Sequence, residues 1–176
     1  VTIGDSVSSV GFPGRFSVSN SDDAGLRALT LINVGMITVR ADESMQAVPI
    51  LREARRLFEE VGDVAGQARA WSWLAEAHAD HDDLWEAMEA ATTSYRLYER
   101  VGDQSRMADL AVRLGACETA LGLHEDGAAH TWIGVELYRR QNDYLEGTAL
   151  ARHGECLAGL GRRAEARDAF ERGLAR

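Results

Sequence analysis

Apolar residues return along the chain in paired stretches of helical length, each pair linked by a short polar turn, and the whole unit recurs about every forty residues. The spacing predicts first helices near 23–40, 64–80, 104–121 and 144–160, and second helices near 43–60, 83–100, 124–140 and 162–175. Asp42, Asp82, Gly122 and Gly161 fall between the members of each pair, residue types that suit a turn between antiparallel helices. A second punctuation, FEEVGD at 58–63, YERVGD at 98–103 and YRRQND at 138–143, separates one pair from the next. There Gly62 and Gly102 can take the left-handed conformation that ends a helix, Asn142 tolerates it, and Asp63, Asp103 and Asp143 can cap the helix that follows. Glu146 stands at the reciprocal capping-box position to Asp143.

Small residues recur in pairs twelve apart: Gly35 and Ala47, Ala75 and Ala87, Gly115 and Gly127, Gly154 and Ala166. The first members are spaced by 40, 40 and 39 residues. Antiparallel helices cross closely only where side chains are tiny, so each pair is expected to meet across a hairpin. Larger residues should fill the flanking layers: Trp71, Leu74, Leu110, Leu114, Leu137 and Leu150, with Leu157, Phe170, Phe58, Tyr98 and Tyr138. The expected fold class is all-α, an α-solenoid of four helical hairpins at about 22–62, 63–102, 103–142 and 143–176. Residues 1–21 form a Ser- and Gly-rich tail, in which Val10, Phe12 and Phe16 are expected to dock on the solenoid.

Trp71-x-x-Leu74-Ala75 followed by Ala87, and Gly154 followed by Gly161 and Ala166-x-x-x-Phe170, resemble the tetratricopeptide repeat. The likeness runs from residue 22 to the end. The period is longer than the roughly 34 residues of that repeat and overlaps HEAT and armadillo hairpins, but the small-residue register favours the tetratricopeptide family. Long-period versions resemble the helical arms of bacterial signal-transduction ATPases and of actinomycete transcriptional activators. The resemblance implies a non-catalytic module whose first helices line a concave groove for a protein or peptide, the sensing or scaffolding arm of a bacterial regulator.

By that resemblance the groove carries Leu29, Ile32, Asn33 and Met36 from the first repeat and Arg69, Ser72, Trp73 and Glu76 from the second. Asp109, Val112, Arg113 and Ala116 follow from the third, and Thr148, Ala151, Arg152 and Glu155 from the fourth. The partner-binding residues it implies are Asn33, Met36, Arg69, Trp73, Glu76, Asp109, Arg113 and Arg152. Two readings of the ladder Asn33, Trp73, Arg113, Arg152 stand side by side. The aromatic and the arginines could clasp an extended chain carrying an acidic group, or the arginines could be paired with Glu76 and Glu155 on a solvated face. The carboxylate clamp of chaperone-binding members is not reproduced in either register, whose positions carry Ile32, Met36, Trp73, Asp109 and Arg113 or, one repeat on, Ser72, Glu76, Arg113, Thr148 and Arg152.

Composition narrows the chemistry. A net charge of −9 argues against direct nucleic-acid contact, and all 19 basic residues are Arg, which fits a GC-rich bacterial genome. Cys117 and Cys156 sit at equivalent places in neighbouring repeats, as small buried thiols rather than a disulfide or a ligand pair. No run approaches the ~18 apolar residues of a membrane span, so a cytoplasmic protein is expected. The Val at position 1 and the end inside a helical pattern suggest a segment of something longer. No nucleotide-binding motif is present and no cofactor is implied. The HADHDD stretch at 78–83 offers an alternative, a metal or small-molecule sensor or enzyme built on His78 and His81, or on a pocket near Trp73, against the simpler reading of a polar turn. His124, His130 and His153 are scattered. Trp73 should turn away from Trp71, from which it is rotated by about 200°, while Trp85 and Trp132 should be partly buried against the next repeat. Self-association through an uncapped last hairpin or the tail is a further expectation.

Overall fold

The computed structural model describes residues 20–175. The tail expectation for Val10, Phe12 and Phe16 lies outside the described residues. Among the described residues there are eight helices and no strand. They are α1 (Asn20–Arg40), α2 (Ser44–Glu60), α3 (Val64–Ala79), α4 (Leu84–Val101), α5 (Gln104–Ala120), α6 (His124–Gln141), α7 (Glu146–Gly159) and α8 (Arg163–Leu174). None is long and apolar enough to cross a membrane. Each helix packs on the one before it, and α1 also meets α3 while α5 meets α7. The chain is thus an all-α solenoid of stacked hairpins, with the odd-numbered helices forming one layer.

The turns are set by local backbone chemistry. Positive φ occurs at Asp42 (59°), Asp82 (61°), Gly122 (80°) and Gly161 (75°) inside the hairpins, and at Gly62 (72°), Gly102 (76°) and Asn142 (52°) between them. These are the seven positions where glycine or a tolerant Asp or Asn punctuates the pattern. Asp63 Oδ1 accepts the Gly66 N–H at 2.8 Å and Asp103 Oδ1 accepts that of Arg106 at 3.0 Å, so both cap the helix they precede. The third joint differs from the expected capping box. Asp143 Oδ1 takes the Leu145 N–H at 2.9 Å, α7 starts only at Glu146, and the Glu146 carboxylate accepts Arg139 Nε at 2.9 Å. A charged donor from the preceding helix competes better for that carboxylate than a neutral backbone N–H does.

Packing follows the small residues, in two ways rather than one. Gly115 and Gly127 do meet, since a Cβ on Gly115 would lie 2.6 Å from the Gly127 carbonyl oxygen. At Gly35 and Gly154 the space is instead filled by a large side chain sixteen residues on, Leu51 (2.5 Å) and Phe170 (2.9 Å), so the crossing is ridge into notch. Ala28, Ile32, Leu51, Phe58, Leu74 and Leu110 belong to one apolar core spanning α1 to α5. Ala108, Val135, Tyr138 and Leu150 form a smaller cluster around α5 to α7. Three expectations about the core need correction. Trp71 and Leu137 are only partly buried, and Phe170 remains 36% exposed, α8 being packed on α7 alone among the described residues.

Candidate functional groove

The layer of odd-numbered helices surrounds a groove of about 770 Å³. α1 contributes Ile32, Asn33, Met36 and Arg40, and α3 contributes Arg69, Ser72, Trp73, Glu76 and Ala79. From α5 come Arg106, Asp109, Leu110, Val112, Arg113 and Ala116, and from α7 comes Arg152. The helical period explains the selection: on α3, residues 69, 72, 73 and 76 lie at i, i+3, i+4 and i+7, one face of the helix. All eight residues singled out from the sequence, Asn33, Met36, Arg69, Trp73, Glu76, Asp109, Arg113 and Arg152, line this one groove. Leu29, Thr148, Ala151 and Glu155 do not.

Across the opening Arg113 Nη2 donates to Glu76 Oε2 at 3.1 Å, joining α3 to α5. Arg152 donates to Glu155 at 3.0 Å on the same helix. The arginine pairing weighed from the sequence is therefore present at both positions. Trp73 turns into the groove, with the Arg40 guanidinium 5.4 Å from its ring centroid. Trp71, two residues earlier, lies in a separate cleft beside His78 and Glu89, under Arg55 at 5.2 Å. Deeper in the groove, the Tyr138 hydroxyl donates to Asp109 Oδ1, and Arg106 sits 3.6 Å from the same carboxylate. Burial and the adjacent Asp109 charge hold the Tyr138 phenol well above its ordinary pKa, so it is a donor at any physiological pH. Burial likewise raises Tyr98 and Cys117 on the groove wall.

Sequence reasoning missed Arg40, Arg106, Tyr98 and Tyr138. As fillers of the layers beside the crossings the tyrosines look purely apolar, yet a buried phenol keeps a polar tip that needs a partner, and their forty-residue recurrence beside a groove was the available signal.

The HADHDD turn does not converge. His78 is buried with Nδ1 3.5 Å from Asp83, Asp80 accepts the Ser44 hydroxyl at 2.8 Å, and His81 is exposed. Among the described residues no group of three His, Cys, Asp or Glu is placed to hold a metal ion. Cys117 and Cys156 are free buried thiols. Trp132 packs against His153 at 5.2 Å between centroids, as expected of a residue leaning on the next repeat. Trp85 does not, being 64% exposed near the start of α4.

No family model matches the sequence, and a search of curated proteins finds no match. Solved structures do match. Aspartyl phosphate phosphatase F from Bacillus subtilis superposes with a TM-score of 0.80 at 15% identity, over 87% of this chain and 40% of that one. The TPR-like repeats of a Podosopora anserina kinesin light chain protein give 0.73 at 12% identity, over 86% of this chain and 74% of that one. This chain has a tetratricopeptide-like fold. A third neighbour, a Rap protein complexed with Competence and Sporulation Factor, gives 0.73 at 20% identity, covering 85% of this chain and 43% of the other. The chain spans less than half the length of that Rap protein and of the phosphatase. On this tetratricopeptide-like frame the groove occupies the face formed by the first helix of each hairpin.

Proposed function

We propose that the chain is a non-catalytic binding module that holds a protein or peptide segment in the groove, as the sensing or scaffolding arm of a cytoplasmic bacterial regulator. The observation that carries this is the groove itself: four hairpins contribute to one lining in which apolar residues such as Ile32, Met36, Leu110 and Val112 alternate with charged and polar ones that can orient a bound chain. Several of those groups are braced by their own neighbours, Arg113 by Glu76 and Tyr138 by Asp109, so the surface is formed before a partner arrives. A regulator's arm fits the likeness to the Rap protein, solved with Competence and Sporulation Factor.

The test is selection of binders from a displayed library of random nine-residue peptides, followed by photo-crosslinking from two positions. Crosslinkers at Ser72, on the groove wall, should capture the selected peptides, and those at Glu89, in the separate cleft on the other side of α3, should not. Asn33→Trp, which fills the groove from an exposed position without adding charge, should abolish capture. Capture from Glu89 but not Ser72, or a library that yields no binder, would overturn the proposal.

A further inference from the structure

The groove is basic although the chain is acidic. Arg40, Arg69, Arg106, Arg113 and Arg152 line it against two carboxylates, Glu76 and Asp109, within a protein of net charge −9. Three of these arginines already have a carboxylate: Arg113 with Glu76 at 3.1 Å, Arg106 with Asp109 at 3.6 Å, and Arg152 with Glu155 at 3.0 Å. Arg40 and Arg69 have no carboxylate partner among the described residues. Both are held against rings instead, Arg40 over Trp73 at 5.4 Å and Arg69 over Phe58 at 5.9 Å. Stacking fixes a guanidinium plane but leaves its in-plane N–H donors available, and Arg69 Nε is buried with no acceptor among the described residues. A buried donor without a partner is costly, and a carboxylate is the strongest acceptor for it.

Resting on the peptide-binding reading, we infer that the groove selects an extended acidic segment that presents carboxylates on alternate residues, one to Arg69 and one to Arg40, with its backbone crossing Trp73. The register is set by the backbone: the Cα atoms of Arg69 and Trp73 lie about 6 Å apart along α3, and Arg40 stacks on the Trp73 ring. Side chains on one face of an extended peptide repeat at roughly 7 Å. The surrounding positive field in an otherwise negative protein steers such a segment to this face and away from the rest of the surface.

The library selection distinguishes the two readings. Groove-bound peptides should be enriched in acid-x-acid triplets over the unselected pool. For one such peptide, Arg40→Gln and Arg69→Gln should each weaken binding by about tenfold in fluorescence anisotropy, and raised salt should do the same. The analogue with both acids changed to Gln should bind the two variants and the parent alike. Arg40 is exposed, so its variant remains informative if Arg69→Gln folds poorly. Peptides that crosslink at Ser72 without acidic enrichment, or an Arg40→Gln protein that binds the diacid unchanged, would overturn this inference and leave the groove reading standing. A phosphoserine in place of one acid that tightens binding by more than tenfold, with inorganic phosphate competing, would assign the anion to phosphate and overturn the carboxylate. Absence of any groove-bound peptide removes both readings.

Discussion

Replacing Gly115 by Ala tests whether the α5–α6 crossing is as close as the small-residue register requires. The added carbon would lie 2.5 Å from Thr131 Cγ2, 2.6 Å from the Gly127 carbonyl oxygen and 3.0 Å from the Thr131 backbone nitrogen. Two of those three atoms are backbone, so no rotamer change relieves the clash and the helices must separate. Overpacking of this kind costs about 3 kcal/mol at the upper end of its usual range. Ala returns about 1 kcal/mol through its better helix propensity, which leaves a net loss of about 2 kcal/mol. For a chain of this size that is a fall in Tm of about 4–8 °C. Gly25→Ala in α1 is the matched control, because nothing lies within 4 Å of its added carbon. Only the propensity gain acts there, so the control should be stabilised by up to about 1 kcal/mol. Thermal and urea melts followed by circular dichroism read the difference, about 3 kcal/mol between two chemically identical changes. A Gly115→Ala protein that melts with the parent, or a pair of variants shifted equally, would refute the close crossing.

Two further outcomes follow from local features. Burial holds His153 below its ordinary pKa of 6.5, with Arg162 and Arg172 nearby reinforcing the effect and Glu165 and a backbone bond at Ala128 opposing it; Thr131, which gives its own proton to the Gly127 carbonyl, accepts the His153 Nδ1–H at 3.1 Å. Because the unfolded chain takes up that proton at a higher pH than the folded one, stability should fall as pH drops through 6.5 toward 5. The fall should be shallower in His153→Asn, and identical slopes in the two melts would contradict this. At the joints, Gly62→Ala forces a Cβ onto a φ of 72° and should cost about 1–2 kcal/mol. Asn142→Gly at a φ of 52° should be close to neutral, and equal urea midpoints for the two variants would show that the left-handed joints are not under backbone control.

The joints and turns were legible because their cause is local. A left-handed residue has a short menu, and Gly62, Gly102 and Asn142 satisfy it wherever the chain goes next. Helical period puts residues 69, 72, 73 and 76 on one side of a helix, but that this side lines a groove came from the resemblance to the tetratricopeptide repeat. Burial at the rim was harder to read. Trp85 and Phe170 carry the same apolar signal as core residues, and their exposure is decided by which side of the helix its neighbours cover. The Asp143 and Glu146 spacing matched a capping box, but the competing donor, Arg139, comes from the preceding helix.

The sequence alone determined the period, the hairpins and the joints, because φ preference, helical pitch and the room for a Cβ act within a few residues of the backbone. The tertiary structure decided which charges are satisfied. Arg113 reaches Glu76, 37 residues away, and Tyr138 reaches Asp109, 29 away, only because successive hairpins stack at particular angles. Those angles accumulate from every packed layer between them. The same stacking leaves Arg40 and Arg69 facing rings rather than carboxylates, and no spacing along the chain foretells it.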